Sequence, residues 1–292
     1  LGYVGRFAPS PTGDLHLGSL YAATASYLDA RANGGRWLLR IEDLDRPRVQ
    51  TGSRDRILRT LAQFGFEWDD CTQQSDRIAL YEAALAALDA SGLIFDCSCS
   101  RSQLVDEERY PGLCRAAPKL PGVPTAKRLR IDPGYIQFAD RIQGTFRQDV
   151  AAAVGDVVLR RRDGLYAYVL AVVVDDAAQG VTHVVRGADL LDNTPRQIYL
   201  QRQLRMPTPS YAHVPALVES DGRKLAKSAR SAHLMGRPAI PQLMEVLELL
   251  GLAPPRDLAS AALGDIWKWA MGEWRIDKVP QRLAYNLPAQ NA

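Results

Sequence analysis

Apolar positions along the first 95 residues alternate between two rhythms. Tyr3–Ala8 reads as a short strand, and Pro9-Ser10-Pro11-Thr12-Gly13 as a turn-rich break. A helix from about Leu17 to Ala32 follows, ended by Asn33-Gly34-Gly35. Arg36–Ile41 predicts a second strand, with Trp37-Leu38-Leu39 as its buried run. Ile57, Leu58, Leu61 and Phe64 mark one face of a helix stopping at Gly65. Ile78, Tyr81, Leu85 and Leu88, spaced by three and four, mark another that stops near Gly92. Strand, helix, strand, helix at this spacing predicts an α/β fold with a parallel sheet covered by helices. From Phe95 to about Pro133 the pattern breaks into cysteines, charges and prolines, as expected of an insertion without a large core. Ile136–Phe138, Asp156–Arg160, Tyr166–Val174 and Val181–Arg186 then read as strand-like or closely packed, and Thr194–Leu204 as a helix. Helical periodicity returns over Pro241–Leu250 and Leu258–Met271, with Pro254-Pro255 between them. The pattern divides the chain into four parts: residues 1–95 and 135–205 as halves of a nucleotide-fold core, 96–134 as an insertion, and 206–292 as a lysine-bearing loop with a short helical tail.

Composition narrows the class without naming a partner. With 292 residues, 47% hydrophobic and 24% charged, the chain is neither disordered nor fibrous. No apolar run approaches the roughly 20 residues that span a bilayer. The opening residues lack the order of a signal peptide, so a cytoplasmic protein is expected. A net charge of +3 from 36 basic and 33 acidic side chains is too balanced to announce nucleic acid. Only six of the basic residues are lysines, however, and two of them stand within Lys224-Leu225-Ala226-Lys227. Lysine is a compact, mobile charge where arginine is a flat fork, which admits a chemical role beside that of a solvated loop.

Two segments carry candidate chemistry. In the first, Arg6 to Gly18 join a strand to a helix, and backbone N–H groups at such a helix start suit a phosphate. His16 reads either as a donor to phosphoryl oxygens or as a structural cap, and Gly18 lets a nucleotide lie close to the backbone. The second, Gly222 to Ser228, is a glycine-led loop whose two ammonium groups could close over a triphosphate. Neither segment is a Walker loop or a dinucleotide fingerprint. Cys97, Cys99 and Cys114 cluster in the insertion, and in a chain with four cysteines they suggest a metal site or reduced thiols rather than a disulfide framework.

Together these segments resemble the glutamyl and glutaminyl branch of the class I aminoacyl-tRNA synthetases. Pro9–Gly18 looks like the HIGH signature and Lys224–Ser228 like KMSKS, with the last HIGH position taken by Ser19 and the middle serine of KMSKS by Ala226. Arg40-Ile41-Glu42-Asp43-Leu44-Asp45, Val173-Val174-Asp175-Asp176 and Gly180–Gly187 resemble further motifs of the branch. The resemblance implies a class I, Rossmann-type parallel sheet carrying an inserted zinc-bearing subdomain and a short C-terminal helical region. His16, Lys224 and Lys227 would be catalytic, and His16, Gly18 and Lys227 would contact ATP with its Mg²⁺. Arg6, Phe7, Ala8, Pro9, Ser10, Glu42, Tyr168 and Arg186 match the amino-acid pocket, with Arg186 gripping the γ-carboxylate of L-glutamate and Glu42 facing its ammonium. A structural zinc held by Cys97, Cys99, Tyr110 and Cys114 is implied as well, with Asp96, Asp106 or Glu107 as replacements for Tyr110.

Only 64 residues follow Ser228, too few for the helical anticodon-binding domain of full-length glutamyl enzymes. The resemblance is therefore nearest to the shortened glutamyl-queuosine branch, whose members form glutamyl-adenylate and esterify glutamate to the queuosine base of tRNA(Asp). A monomer meeting that anticodon loop away from any membrane is expected. The alternatives are a fragment charging a tRNA 3′ end and a non-catalytic binding module. Trp267, Trp269 and Trp274, with Lys268 and Arg275, read as a packed helical tail or as an exposed surface for the anticodon loop.

Overall fold

The computed structural model describes residues 2–100, 102–104, 109–116, 122–218, 234 and 236–287. The first part runs β1 (Val4–Phe7), α1 (Leu17–Ala32), β2 (Arg36–Ile41), α2 (Ser53–Gln63), β3 (Asp70–Gln73) and α3 (Ile78–Ala90). Next come β4 (Ile94–Cys97), β5 (Ala126–Leu129), β6 (Tyr135–Asp140), β7 (Gly144–Asp149), α4 (Val150–Ala153) and β8 (Val157–Arg160). After α5 (Tyr168–Ala178), β9 (His183–Gly187), α6 (Thr194–Gln203), β10 (Ser210–Val214) and β11 (Ala216–Val218), the tail forms α7 (Ala239–Leu249), α8 (Leu263–Glu273) and β12 (Ala284–Asn286).

Strands β1, β2 and β3 pair in parallel, as do β9 and β10, with β6 on the far side of β10. Thr182 N–H donates to Val4 O at 2.9 Å, and Val4 N–H to Thr182 Oγ1 at 2.8 Å. These bonds set the start of β9 beside β1, giving the strand sequence β3-β2-β1-β9-β10. The direction of winding reverses between β1 and β9, and in open α/β sheets ligands bind beyond the carboxyl ends of the strands at such a reversal. The HIGH-like loop leaves β1 there, and Arg186 and Gly187 end β9 there.

The segment Tyr166–Val174, expected to be strand-like or closely packed, is closely packed but is not a strand: Tyr168 opens α5, and Tyr166 makes an isolated bridge to Arg160. Residues Val169 through Asp176 are all buried, so α5 shows no polar stripe, and its valine run imitates a strand. Strands β3, β4, β5, β7, β10, β11 and β12 were not anticipated. They are three to six residues long, and β7 alternates between half-buried and exposed positions.

The tail packs on the catalytic core. Tyr27 of α1 meets Trp37, Phe66 and Trp267 edge-on at 5.1, 5.2 and 4.9 Å between ring centres. The Trp267 indole donates to Phe64 O at 2.9 Å, and the Trp274 indole to Asp29 Oδ1 at 3.1 Å. Trp267 and Trp274 therefore belong to the core rather than to an exposed surface, and Trp269 packs against it half-buried. Asp29, itself buried in α1, also accepts from Tyr3 Oη and from both Nη atoms of Arg141, drawing three distant segments to one carboxylate. The insertion joins the rest through an antiparallel sheet, β4-β5-β8, and among the described residues its own core is Phe95, Cys97 and Tyr110 with a few partly buried neighbours. Among the described residues no helix is long and apolar enough to cross a membrane.

Candidate active site and metal centre

His16 caps α1, its Nδ1 accepting from Ser19 N–H at 3.3 Å. Both sequence readings hold at once, because a ring that accepts at Nδ1 carries its proton on Nε2 and can donate it. Burial lowers the pKa of His16 while the charge of Asp189 works upward, so the ring is neutral at physiological pH. His16 and Gly18 line a cavity of about 280 Å³ together with Gly187, Asp189 and β11. A side chain at Gly187 would bring its Cβ within 2.5 Å of Asp189 Oδ1, so glycine keeps this wall open. Strand β12 pairs in parallel with β11 and backs the same wall.

Next to it, Ser10, Glu42 and Tyr168 line a cavity of about 460 Å³. Beneath lies a buried charge network of three arginines and three carboxylates. Asp176 holds Arg6 at 3.3 Å and Arg40 at 2.8 Å. Asp175 holds Arg77 at 2.5 Å and takes hydrogen bonds from Gln74 and Tyr81. Glu42 has the loosest pairing, a single 3.4 Å contact with Arg40. Burial accordingly raises its pKa to about 7 even though Arg40 and Arg6 oppose the shift. Burial also works upward on Asp176, but there the Arg6 and Arg40 charges outweigh it and the carboxyl is held below its usual range. Glu42 is thus the carboxylate of this network that a further cation would stabilise most.

Arg186 has the opposite surroundings. Its guanidinium donates to His213 Nε2 (3.1 Å), Tyr168 Oη (3.3 Å), Thr194 Oγ1 (2.8 Å) and Gln197 Oε1 (2.8 Å), all neutral acceptors. His213 is neutral because burial and the Arg186 charge lower its pKa more than Asp140 raises it. Its Nδ1 lies 2.6 Å from Asp140 Oδ2, so the proton sits on Nδ1 and Nε2 is free to accept from Arg186. A buried cation held only by neutral groups retains its full attraction for an anion.

The remaining predicted residues are distributed around this frame. Arg6 is engaged by Asp176, so of the two predicted pocket arginines it is Arg186 that has no carboxylate partner among the described residues. Phe7 lies on the opposite face of β1 from Arg6 and stacks on Trp37 with centroids 6.3 Å apart, so it offers the site its backbone. Ala8 follows it, Pro9 O accepts from Glu42 N–H at 3.0 Å and locks the two motifs together, and Ser10 reaches the cavity. Lys224 and Lys227 lie outside the described residues. Arg40, Asp175 and Asp176 stood in recognised motifs but without assigned roles. Asp140, Thr194, Gln197 and His213 carried no sequence signal: Asp140 and His213 meet through the β6–β10 and β9–β10 pairings, and Thr194 and Gln197 reach Arg186 from α6.

In the insertion, the sulfurs of Cys97, Cys99 and Cys114 lie within 4.8 Å of one another. Cys99 and Cys114 sulfurs are 3.5 Å apart, and Cys97 Sγ is 3.5 Å from Tyr110 Oη. Tetrahedral metal–sulfur bonds of about 2.3 Å place neighbouring donors about 3.8 Å apart, so these four atoms fit around one ion. Tyr110 Oη accepts from Cys114 N–H at 2.9 Å, while burial and the hydrogen bond with Cys97 push the phenol up when no ion is present. Without an ion, burial and the adjacent thiols push Cys99 up to about 11. Burial works upward on Cys114 too, but hydrogen bonds from Tyr110 and Ser98 outweigh it and bring the thiol down to about 6. Asp96 faces Thr125 (2.7 Å) and Lys127 (3.3 Å) instead, while Asp106 and Glu107 lie outside the described residues. Cys71 is half-buried on β3, apart from the cluster.

Residues 3–237 match the family model of tRNA synthetases class I (E and Q), catalytic domain. A glutamyl-Q tRNA(Asp) synthetase of Ectopseudomonas mendocina is 54% identical over 281 residues, covering 96% of this chain and 95% of that protein. One from Thiobacillus denitrificans is 52% identical over 294 residues, covering 98% of each. Among solved structures, a glutamate tRNA ligase from Elizabethkingia meningosepticum shares the fold with a TM-score of 0.81 at 24% identity, over 97% of this chain and 67% of that one. A glutamate-tRNA synthetase from Elizabethkingia anophelis matches likewise, with a TM-score of 0.82 over 99% of this chain and 69% of that one. The parallel sheet, its site at the winding reversal and the full-length relatives agree, and the chain belongs to the class I tRNA synthetase family of the E and Q branch, among its glutamyl-Q tRNA(Asp) synthetases.

Proposed function

We propose that the protein activates L-glutamate with ATP and transfers the glutamate to the queuosine base in the anticodon of tRNA(Asp). The observation that carries the amino-acid assignment is the pairing of Arg186, a buried cation with neutral partners, with Glu42, the least satisfied carboxylate of its network. Glutamate supplies the complement of both: its γ-carboxylate for Arg186 and its ammonium for Glu42, with Tyr168 as the wall between. The queuosine acceptor is supported by relatives of matching length that bear that name.

In this reading the glutamate α-carboxylate attacks the α-phosphorus of ATP and pyrophosphate leaves. Mg²⁺ bound with ATP would neutralise phosphate charge. His16 Nε2–H donates to the phosphoryl oxygens, Lys227 neutralises the charge that develops there, and Lys224 assists. Gly18 lets the nucleotide approach α1. A queuosine hydroxyl oxygen then attacks the adenylate carbonyl carbon, AMP leaves with the former bonding pair, and the hydroxyl proton passes to solvent. The donor set Cys97, Cys99, Tyr110 and Cys114 would hold a structural zinc, since four protein ligands leave no position for a substrate. Elemental analysis should find about one zinc per chain, and a zinc-free native protein would remove this assignment. ATP and tRNA substrates fit a cytoplasmic protein.

The deciding experiment supplies labelled glutamate, ATP and tRNA(Asp) with or without queuosine, each with or without the 3′-terminal adenosine. Label should follow queuosine and ignore the terminal adenosine. Label that needs the adenosine would overturn the queuosine assignment in favour of 3′-end charging.

A further inference from the structure

On the far side of Tyr168 from the network lies a separate cavity of about 410 Å³, walled by Arg109 and Tyr110 of the insertion, Arg128 of β5, and Arg196 in the first turn of α6. Val158, Ala167 and Tyr168 line both this cavity and the amino-acid cavity and form the wall between them. Its one acidic lining residue, Asp156, is already engaged by Arg115 at 2.7 and 2.5 Å and by Ile131 N–H at 2.9 Å. Three guanidiniums therefore face a hollow in which no described carboxylate is left to balance them.

Two of these guanidiniums are incompletely used. Arg128 lies over the Tyr110 ring at 3.9 Å and donates to Asp156 O at 2.7 Å, but its buried Nε has no partner among the described residues. Arg196 makes one long bond among the described residues, 3.4 Å to Asp192 O, and its buried Nε has no partner there either. Burial holds Arg196 below the ordinary arginine range against the charge of Asp192, which marks a cation still lacking its anion. Unpaired buried N–H groups on a guanidinium are costly, and a phosphate answers them with paired oxygens. Beside the arginines the cavity wall is valine, Val157, Val158 and Val169, which suits the face of an unstacked base.

We propose that this cavity seats the acceptor nucleotide of a single-stranded RNA loop, its backbone phosphate on Arg196 and Arg109 and its base against the valine wall, with Arg128 closing the side over Tyr110. The proposal rests on the function above and locates where the acceptor waits before its hydroxyl passes Tyr168. A free anion would need the guanidiniums but not the apolar wall.

The test uses the whole protein and the variants Arg196→Gln, Arg109→Gln and Arg196→Lys. Glutamate-dependent pyrophosphate exchange without tRNA reports the adenylation site, and equilibrium binding of queuosine-bearing tRNA(Asp), followed across a salt series, reports the cavity. Each glutamine variant should weaken tRNA binding about tenfold and flatten the salt slope by about one contact, with exchange unchanged. Arg196→Lys should recover part of the loss. Unchanged binding in both glutamine variants would overturn the proposal, and so would a fall in exchange parallel to the fall in binding, which marks a structural role. Excess inorganic phosphate that competes equally against wild type and Arg196→Gln would also overturn it. Transfer by the wild type to the 3′ end would refute the proposed function instead, and the binding measurements would still decide the cavity.

Discussion

Replacing His213 tests the idea that Arg186 is aimed by a neutral imidazole. His213 is fully buried, with Phe138 and Tyr211 rings 6.4 and 6.1 Å away, so His213→Phe keeps an aromatic ring there while removing both ring nitrogens. Arg186 Nε then loses its acceptor at 3.1 Å, and Asp140 loses its side-chain donor but keeps backbone N–H bonds from Ile142, Gln143 and residue 213. The loss falls on one hydrogen bond to a charged donor in a buried site, worth about 1.5–3 kcal/mol. If that bond orients the γ-carboxylate grip, kcat/KM for glutamate in pyrophosphate exchange should fall about 10- to 150-fold, mostly through KM, with ATP KM unchanged. Asp140→Asn separates aim from packing. An asparagine amide can donate to Nδ1, moving the ring proton to Nε2, where it opposes Arg186. Both variants should therefore share the glutamate defect, although Asp140→Asn leaves the imidazole in place. Folded variants whose glutamate KM stays within about twofold of wild type would refute the reasoning.

Glu42 should impose an acid limb on glutamate binding. Its pKa is raised to about 7 by burial, so the carboxylate proposed to face the ammonium is lost as pH falls through that value, and the glutamate KM should climb below it. Glu42→Gln should raise KM and flatten this limb, and a limb that persists would assign it elsewhere. Gly155→Ala should disturb the proposed metal site, because the new Cβ would stand 2.3 Å from Tyr110 O at a residue with φ of +73°. A loss of about 1–3 kcal/mol in stability together with lower zinc retention is expected, read by denaturant titration and metal analysis. Lys227→Ala should cut pyrophosphate exchange by about 10²-fold or more, and unchanged exchange would remove the lysine from the mechanism.

The legibility of the sequence followed the exposure of its elements. Helix α1 was read to the residue because a glycine turn ends it and a capping residue begins it, and both are local signals. Helix α5 was misread because burial on all sides erased the periodicity that separates helix from strand. The HIGH-like loop and Glu42 were found as contiguous motifs, and one backbone bond, Glu42 N–H to Pro9 O, joins them in space. The support of Arg186 was hidden for a different reason. Asp140 and His213 are distant in sequence, each unremarkable alone, and only strand register brings them together. Tyr110 was the converse: an uncommon ligand suggested by family likeness, brought beside the thiols by a backbone bond to Val154.

The carboxylate of Asp29 gathers Tyr3, Arg141 and Trp274, and β12 completes the wall behind β11. Both features make the start of the chain wait for its far end. A nascent polypeptide on the ribosome can form β1, α1 and β2 early, yet Asp29 stays incompletely partnered until residue 274 emerges, and the nucleotide wall stays unbacked until residues 284–286 do. Premature termination between residues 228 and 284 should thus yield a chain that holds every catalytic motif and still binds ATP less firmly, because the strand that backs the nucleotide wall has not been made.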